Sequence, residues 1–126
     1  MLDTHALYWY WTDPSRLGSD AEAAFTALEA KEAIGVVPVL VLAELLYAAR
    51  KQGLAWTMEW LLGLVDGASA LRLEAMTRQH LVAMDQLNEI PEMHDRLIAA
   101  VGLLHGAEVI TRDPDIHAHP AVRSVW

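Results

Sequence analysis

The chain of 126 residues contains no cysteine. This absence excludes a disulfide scaffold, a cysteine-ligated zinc site and a thiol nucleophile, and it is typical of an intracellular protein. A chain of this length can bury a sufficient hydrophobic core without disulfides or a structural metal. We therefore expect one globular domain that spans residues 1–126.

Basic residues are also scarce. The sequence has 17 Asp plus Glu against 9 Lys plus Arg, which gives a formal net charge of -8. Broad non-specific coating of DNA needs a positive surface, so this charge balance argues against it. The balance does not exclude a metal-dependent nuclease, because bound cations offset the acids of such a site.

Long hydrophobic runs are missing as well. The longest apolar run covers residues 34–43, whereas a membrane-spanning helix needs about 20 apolar residues. The N-terminus lacks a basic segment, and Asp3 and His5 lie where the apolar part of a secretory signal would begin. We expect a soluble, cytoplasmic protein that has no membrane partner.

Several motifs of common enzyme sites are absent. The chain contains neither the Gly-x-Gly-x-x-Gly turn of dinucleotide-binding domains nor the Gly-x-Ser-x-Gly elbow of serine hydrolases. Asp3-Thr4-His5 differs from the Asp-x-Asp motif that opens haloacid-type phosphatases. Phospho-receiver domains need a lysine at the end of a late strand, and the only lysines here are Lys31 and Lys51.

The apolar residues that are present alternate between short β-branched runs and segments with helical spacing. We predict strands immediately before Asp3 and at 34–37, 70–73, 109–110 and 122–125. Helices are predicted at 18–31, 39–50, 54–64, 77–87 and 91–106. This alternation implies parallel pairing with right-handed crossovers. We therefore predict an α/β fold of three layers (α/β/α) around a central parallel sheet of four to five strands.

Helix ends and faces are also predicted from local patterns. Ser19 with Glu22 three residues later is typical of a capping box, and Thr77 is expected to cap the fourth of these helices. The last predicted helix should bury the apolar side chains at helical spacing, which are Leu97, Ile98, Val101 and Leu104.

Four acids are placed where a parallel sheet would bring them together. Asp3 and Asp113 follow strand ends, Glu44 interrupts an apolar helix after the second strand, and Asp95 lies in a first helical turn. The carboxyl ends of parallel strands meet at one edge, where ligands bind. Gathered carboxylates repel one another unless a cation offsets them. Mg²⁺ or Mn²⁺ prefers such oxygen ligands and supports water attack on a phosphodiester.

Each acid also has a structural interpretation. Taken alone, an acid at a helix start such as Asp95 is usually a cap. Asp3 could be a turn acid and Asp113 part of an Asx turn, an interpretation that is favoured for Asp115. Glu44 is harder to explain in this way, because burying an unpaired acid on an apolar helix face is costly. The joint pattern is therefore stronger evidence than any single member.

Four short motifs together resemble the PIN domain, in particular the ribonuclease toxins of the VapBC toxin–antitoxin type. Leu2-Asp3-Thr4-His5-Ala6-Leu7 is similar to the opening strand and first acid of that family, and Leu42-Ala43-Glu44-Leu45 to its helix-borne glutamate. His94-Asp95-Arg96-Leu97-Ile98-Ala99-Ala100 resembles the third acidic motif, and Val109-Ile110-Thr111-Arg112-Asp113 the fourth. The chain departs from the family pattern in its short first strand and in Pro38, where a Ser or Thr is common.

The resemblance implies an endoribonuclease that uses Mg²⁺, or Mn²⁺ in its place, cleaves RNA, forms homodimers and is inhibited by a cognate antitoxin protein. The residues implied for catalysis are Asp3, Glu44, Asp95 and Asp113, and those implied for the metal are Asp3, Asp95 and Asp113. Neighbouring residues are candidates for substrate binding, namely Thr4, Thr111, Arg112 and Asp115. Alternatives are a catalytically weak PIN-like module that binds RNA or a protein, and a metal-dependent DNA nuclease.

Histidine, arginine and tryptophan side chains outside the four acids have simpler explanations. Zinc ligation by His5 and His94 is disfavoured, because the surrounding candidates are oxygen donors and no cysteine is present. Arg96 and Arg112 could contact the scissile phosphate or offset the acids, and a surface ion pair is favoured for Arg96. Five tryptophans are more than one small core readily hides, so we expect Trp56 and Trp60 on one helix face and some of the five at a protein interface.

Overall fold

The computed structural model describes residues 1–126. It contains seven α-helices, four strands and one 3-10 turn, Pro14–Arg16. In chain order the regular elements are α1 (Thr4–Thr12), α2 (Ser19–Glu29), β1 (Gly35–Pro38), α3 (Val39–Lys51), α4 (Met58–Gly67), β2 (Leu71–Glu74), α5 (Arg78–Met84), α6 (Met93–His105), β3 (Val109–Ile110), α7 (Pro114–Ala118) and β4 (Ser124–Val125).

The strands form two parallel pairs. β1 pairs with β2, with Gly35 opposite Leu71, and β3 pairs with β4, with Val109 opposite Ser124. Parallel strands need a crossover connection between them, which is why a helix or a longer segment separates each strand from its partner along the chain. The predicted parallel pairing is confirmed.

The N-terminal residues join the two pairs. The Leu2 N–H donates to the Val36 carbonyl on one side (2.9 Å), and the Ile110 N–H donates to the Met1 carbonyl on the other (2.9 Å). The Asp3 N–H then donates to the Ile110 carbonyl (3.1 Å). Leu2 forms a single parallel bridge to Ile110, so the predicted short first strand is reduced to that one bridge between β1 and β3. The chain therefore places Asp3 directly beyond the end of β3.

The helices pack around these strands and around one another. α3 contacts α1, α4, α6 and β1, while α6 also contacts α5 and α7. One continuous core fills the space between them, and its largest fully buried side chains come from widely separated segments: Leu2, Leu7, Leu42, Leu45, Leu61, Leu87, Ile90, Ile98 and Ile116. No helix combines the length and the hydrophobicity that crossing a membrane requires.

The buried face of α6 differs from the prediction. Ile98 and Val101 are fully buried, but Leu97 is only partly buried and Leu104 is 47% exposed. The helix turns small residues inward instead, and a Cβ placed on Gly102 would lie 2.5 Å from Cγ2 of Val109. The close approach of α6 to β3 therefore requires small side chains at the contact. The prediction used only the spacing of large apolar residues, which does not indicate such a contact.

Two helix starts also differ from the prediction. Ser19 is not the N-cap of α2, because Gly18 occupies that position and makes no side-chain hydrogen bond. A Cβ on Gly18 would lie 2.5 Å from the carbonyl carbon of Trp126, so packing against the end of the chain favours glycine there. α4 begins at Met58 and not at 54, since Thr57 caps it by accepting a hydrogen bond from the Trp60 N–H (3.1 Å).

The predicted starts of α3 and α5 are observed to within one residue, whereas α6 begins at Met93 and not at 91. Thr77 caps α5, and His80 completes a capping box by accepting a hydrogen bond at Nδ1 from the Thr77 N–H (2.9 Å). α3 follows Pro38 without a side-chain cap, as the departure from the family pattern implies.

Most of the aromatic side chains are at least partly buried. Trp9 is only 4% exposed, and Trp11, Trp56 and Trp126 pack against the core. Trp56 and Trp60 contact each other with ring centroids 4.9 Å apart, but Trp56 precedes α4 and does not share its face. Trp60 is 44% exposed.

Candidate active site

Asp3 is a buried acid held at the start of α1. It is 3% exposed and occupies the N-cap position of the helix. Its Oδ1 accepts a hydrogen bond from the Thr4 N–H (2.5 Å) and its Oδ2 accepts one from the Thr111 hydroxyl (2.7 Å). Burial raises the pKa of Asp3, although the hydrogen bond from Thr111 and the nearby His5 act in the opposite direction. Asp3 therefore has a structural role, as the N-cap of α1, and it also faces the other acids of the site.

Glu44 is fixed by two side chains from other helices. Its Oε2 accepts a hydrogen bond from the Thr4 hydroxyl, and its Oε1 lies 2.9 Å from Nδ1 of His94. The partly buried carboxylate therefore has partners, which lowers the cost of placing it within an otherwise apolar helix. Thr4 and His94 together orient Glu44.

Asp95 lies in the first turn of α6 but does not cap it. The N-cap is Glu92, whose Oε2 accepts hydrogen bonds from the His94 N–H (2.5 Å) and the Asp95 N–H (3.2 Å). The interpretation of Asp95 as a cap is therefore wrong, and its carboxylate is left for another role.

The electrostatics of Asp95 show that the acids share one locality. Its pKa is raised to about 7, first by burial and then by the negative charges of Asp113, Asp3, Glu92 and Glu44. Carboxylates raise the pKa of a neighbour only when they lie close enough to repel its charged form. The four acids predicted from the sequence are thus brought together, from the starts of α1, α6 and α7 and from the second turn of α3.

Asp113 serves two purposes. Its Oδ1 caps α7 by accepting hydrogen bonds from the Asp115 N–H (2.9 Å) and the Ile116 N–H (3.1 Å), as an Asx turn does. Its own N–H donates to the Thr111 hydroxyl (3.0 Å), and that hydroxyl donates in turn to Asp3. α7 itself was not predicted, although Pro114 at its first position is a recognised start signal.

An open cleft of about 670 Å³ lies over three of the acids. Asp3, Glu44 and Asp95 line it, whereas Asp113 is not part of its wall. The other lining residues are Thr4, His5, Leu40, Ala43, Tyr47, Ala48, Glu92 and His94. The cleft therefore combines acidic and other polar side chains with four apolar ones, Leu40, Ala43, Tyr47 and Ala48.

The donor set of the site consists of hard oxygen atoms. No three of its histidine, aspartate or glutamate side chains converge closely enough to enclose an ion by themselves. Mg²⁺ keeps several waters and takes one or two carboxylates directly, so it does not require such convergence. Burial is the main cause of the raised pKa of both Asp3 and Asp95, and the charge of Asp113 adds to it in each case, a repulsion that a divalent cation would offset. The residues present therefore fit Mg²⁺ or Mn²⁺ by their chemistry.

The remaining predicted residues are placed differently. Thr4 and Thr111 contact acids of the site, as described above. Asp115 is exposed in the first turn of α7 and contacts Asp113 only through its backbone. The guanidinium carbon of Arg112 lies 4.3 Å from the ring centroid of Trp9. Arg96 is not in an ion pair, because its guanidinium donates to the Ile90 carbonyl and to Oδ1 of Asn88.

Two contributors were missed in the sequence. Glu92 was overlooked because capping is usually ascribed to Ser, Thr, Asp or Asn. His94 was considered only as a metal ligand, and its contact with Glu44 joins two helices, so no local pattern announces it. The one available signal was the position of Glu92 three residues, and of His94 one residue, before the acid Asp95.

Comparison with known proteins identifies the family and the fold. A family model described as PIN domain matches residues 1–122. Ribonuclease VapC22 of Mycobacterium tuberculosis is 29% identical over 129 residues, which cover 100% of this chain and 97% of that protein.

Solved structures show the same fold. The crystal structure of VapBC2 from Rickettsia felis bound to a DNA fragment from their promoter contains a chain with a TM-score of 0.73 and 20% identity, covering 100% of this chain and 97% of that one. A toxin–antitoxin complex from Klebsiella pneumoniae contains a chain with a TM-score of 0.68 and 20% identity, covering 99% and 94%. The predicted central sheet of four to five strands is not confirmed, because the structure has two parallel pairs that Met1, Leu2 and Asp3 join by hydrogen bonds and a single bridge. The predicted α/β fold with parallel strands is confirmed, and the chain belongs to the PIN domain family.

Proposed function

We propose that this protein is an endoribonuclease that depends on Mg²⁺ or Mn²⁺ and acts as the toxin of a type II toxin–antitoxin pair. The observation that carries the proposal is that Asp3, Glu44 and Asp95 line one cleft of a PIN domain, with Asp113 close enough to raise the pKa of Asp95. The similarity to a protein named as a ribonuclease supports RNA as the substrate.

The metal would be held by Asp3, Asp95 and Asp113. When bound, it would lower the pKa of a coordinated water and offset the charge on the phosphoryl oxygens. The chain's own residues prepare this site. Thr111 holds Asp3 by donating to Oδ2, and its hydroxyl also accepts from the Asp113 N–H, so one side chain sets the positions of two acids.

Glu44 would orient the attacking water. It lines the cleft together with Asp3 and Asp95, and its carboxylate is held by the hydroxyl of Thr4 and by Nδ1 of His94. A carboxylate with fixed rotamers is pre-organised for this task, since it needs no rearrangement when the substrate binds.

We further propose an antitoxin as the protein partner, a homodimeric assembly and a cytoplasmic location. The two solved relatives come from a VapBC structure and a toxin–antitoxin complex, which supports the antitoxin. Exposed apolar side chains beside the cleft support a protein partner there, since Tyr47 is 76% exposed and Met93 is 52% exposed. Light scattering of the purified protein tests the dimer.

A catalytically weak module that binds RNA or a protein is the second candidate. The observation that favours it is the engagement of both Asp3 oxygens and of one Asp113 oxygen in hydrogen bonds within the protein. Such a site could hold a metal less strongly than one with free carboxylates.

Cleavage of a single-stranded RNA by the full-length protein separates these candidates. We expect cleavage with Mg²⁺ or Mn²⁺ and none in EDTA, with activity restored when excess Mg²⁺ is added back. Cleavage that persists in EDTA would refute the metal-dependent mechanism. RNA binding without cleavage under any metal condition would favour the second candidate, and faster cleavage of single-stranded DNA than of RNA would favour a DNA nuclease.

A further inference from the structure

Trp9 holds two arginines from distant parts of the chain. The guanidinium carbon of Arg16 lies 4.4 Å from its ring centroid, and that of Arg112 lies 4.3 Å from it. Arg16 ends the 3-10 turn after α1, while Arg112 follows β3. Trp126 packs against the same ring with centroids 5.4 Å apart, so the indole is supported on several sides and is itself nearly buried. We call Arg16, Arg112 and Trp9 the arginine platform.

The two charges of the platform are not neutralised within the protein. All five ion pairs in the structure have histidine as the base, so neither arginine is paired with a carboxylate. The arginine side chains that donate hydrogen bonds are Arg72, Arg96 and Arg123. Both platform arginines are exposed. Their hydrogen-bond donors are therefore free to bind an anion.

Two guanidinium groups without a carboxylate partner are unexpected in a chain of net charge -8, where acids are in excess. Two cations on one ring repel each other, and the attraction of each to the indole face offsets part of that repulsion. Guanidinium groups bind phosphate through two parallel hydrogen bonds, and stacking on an aromatic ring restricts their motion beforehand. The platform is thus suited to phosphate.

The platform lies next to the acid site. Arg112 stands between Thr111, which donates to Asp3, and Asp113 in the sequence. His5 lines the cleft and also contacts Trp9, with ring centroids 5.6 Å apart. From Asp3 to Trp9 the axis of α1 rises by about 9 Å, which corresponds to roughly two to three stacked nucleotides of one strand. A strand with one phosphate at the acids can therefore place a phosphate two to three nucleotides away on the arginines.

We propose that Arg16 and Arg112, held on Trp9, bind phosphates of single-stranded RNA that lie two to three nucleotides from the cleaved bond. The inference rests on the proposed function for the identity of the polymer, and it adds Arg16 and Trp9 to the substrate site. It also explains how a strongly acidic protein attracts RNA, since the platform provides a local positive surface beside the negative cleft.

Salt-dependent binding tests the platform directly. A fluorescein-labelled single-stranded RNA is titrated with the full-length protein in EDTA, and anisotropy is measured across a series of salt concentrations. The logarithm of the association constant falls linearly with the logarithm of the salt concentration, and each phosphate contact to a single strand adds about 0.7 to the magnitude of that slope. Arg16→Gln and Arg112→Gln should therefore each lower the slope by about that amount and weaken binding about fivefold at 0.1 M salt.

Arg78→Gln is the matched control, because Arg78 is an exposed arginine on α5 that makes no ion pair or side-chain hydrogen bond. Its slope should equal that of the wild type. Arg16→Lys and Arg112→Lys keep the charge and should retain the slope. If the arginines serve only to pack Trp9, the glutamine variants will lower the thermal unfolding temperature and leave the salt slope unchanged, and that result would overturn the proposal.

A parallel cleavage assay with Mg²⁺ separates this proposal from the proposed function. Wild-type protein that binds RNA with the expected slope changes but does not cleave it would refute the nuclease and retain the platform. Wild-type protein that cleaves RNA, while the glutamine variants keep its slope and KM, would refute the platform and retain the nuclease. Wild-type protein that does not bind RNA would overturn the platform outright.

Discussion

Thr111 donates its hydroxyl proton to Oδ2 of Asp3, 2.7 Å away and 108 positions earlier in the chain. The same hydroxyl accepts a hydrogen bond from the Asp113 N–H (3.0 Å). One buried threonine therefore connects the first and the fourth acid of the site, and it does so from the end of β3.

Thr111→Val should destabilise the protein by about 1–3 kcal/mol, because it keeps the shape of the side chain but leaves the buried Asp3 carboxylate without one of its donors. Urea unfolding measures the change. Thr26→Val is the control, since Thr26 also donates a hydrogen bond but is exposed on α2. Equal changes in the free energy of unfolding of the two variants would show that the hydrogen bond from Thr111 to Asp3 contributes no more to stability than an exposed one.

Removal of the negative charge from any one of the four acids should lower the rate of RNA cleavage by about a hundredfold or more, because each contributes to metal binding or to transition-state stabilisation. The variants are Asp3→Asn, Glu44→Gln, Asp95→Asn and Asp113→Asn. Asp66→Asn, at an exposed position of α4, is the control and should retain the wild-type rate. Full activity in any two of the four variants would contradict the assignment.

The pKa of Asp95 predicts how stability depends on pH. Burial and the neighbouring acids raise it from the ordinary 3.8 to about 7 in the folded protein. Between these two values the folded state binds more protons than the unfolded state, so this group's contribution to stability falls as pH rises through that window. In EDTA, Asp95→Asn should therefore gain stability relative to the wild type as the pH increases from 5 to 8.

Urea midpoints at several pH values measure this difference, with Asp66→Asn as the control that should follow the wild type. Addition of Mg²⁺ at pH 8 should raise the midpoint of the wild type more than that of Asp95→Asn, because a bound cation favours the ionised carboxylates. A difference between the two proteins that does not change with pH would contradict the raised pKa.

Gly102→Ala should destabilise the protein by about 1–3 kcal/mol through overpacking. The added methyl group would lie 2.5 Å from Cγ2 of Val109, so α6 would have to move away from β3. Gly63→Ala is the matched control, because Gly63 is also helical and no heavy atom lies within 4 Å of the added Cβ. That variant should gain about 0.5–1 kcal/mol in urea unfolding, since alanine favours a helix over glycine.

Much of the site could be predicted from the sequence because the candidate acids are marked by their immediate neighbours in the chain. Asp3 and Asp113 follow short strands, and the carboxyl ends of parallel strands share one edge of a sheet, so their proximity follows from the strand pattern alone. Glu44 was identifiable because an acid on an apolar helix face is costly to bury without a partner. The role of Asp95 was not decided in this way, since an acid in a first helical turn is also the common form of a cap.

The sequence by itself predicted five of the seven helices, the parallel pairing of the strands and the four acids as candidates, because spacing of apolar residues and strand-end positions are properties of neighbouring residues. Only the tertiary structure decided that Glu92 and not Asp95 caps α6, that Gly102 and not Leu104 faces β3, and that Thr111 joins Asp3 to Asp113. It also placed Arg16 and Arg112 on one indole ring. These contacts join residues far apart in the chain, and their geometry depends on how whole elements pack, which local patterns do not encode.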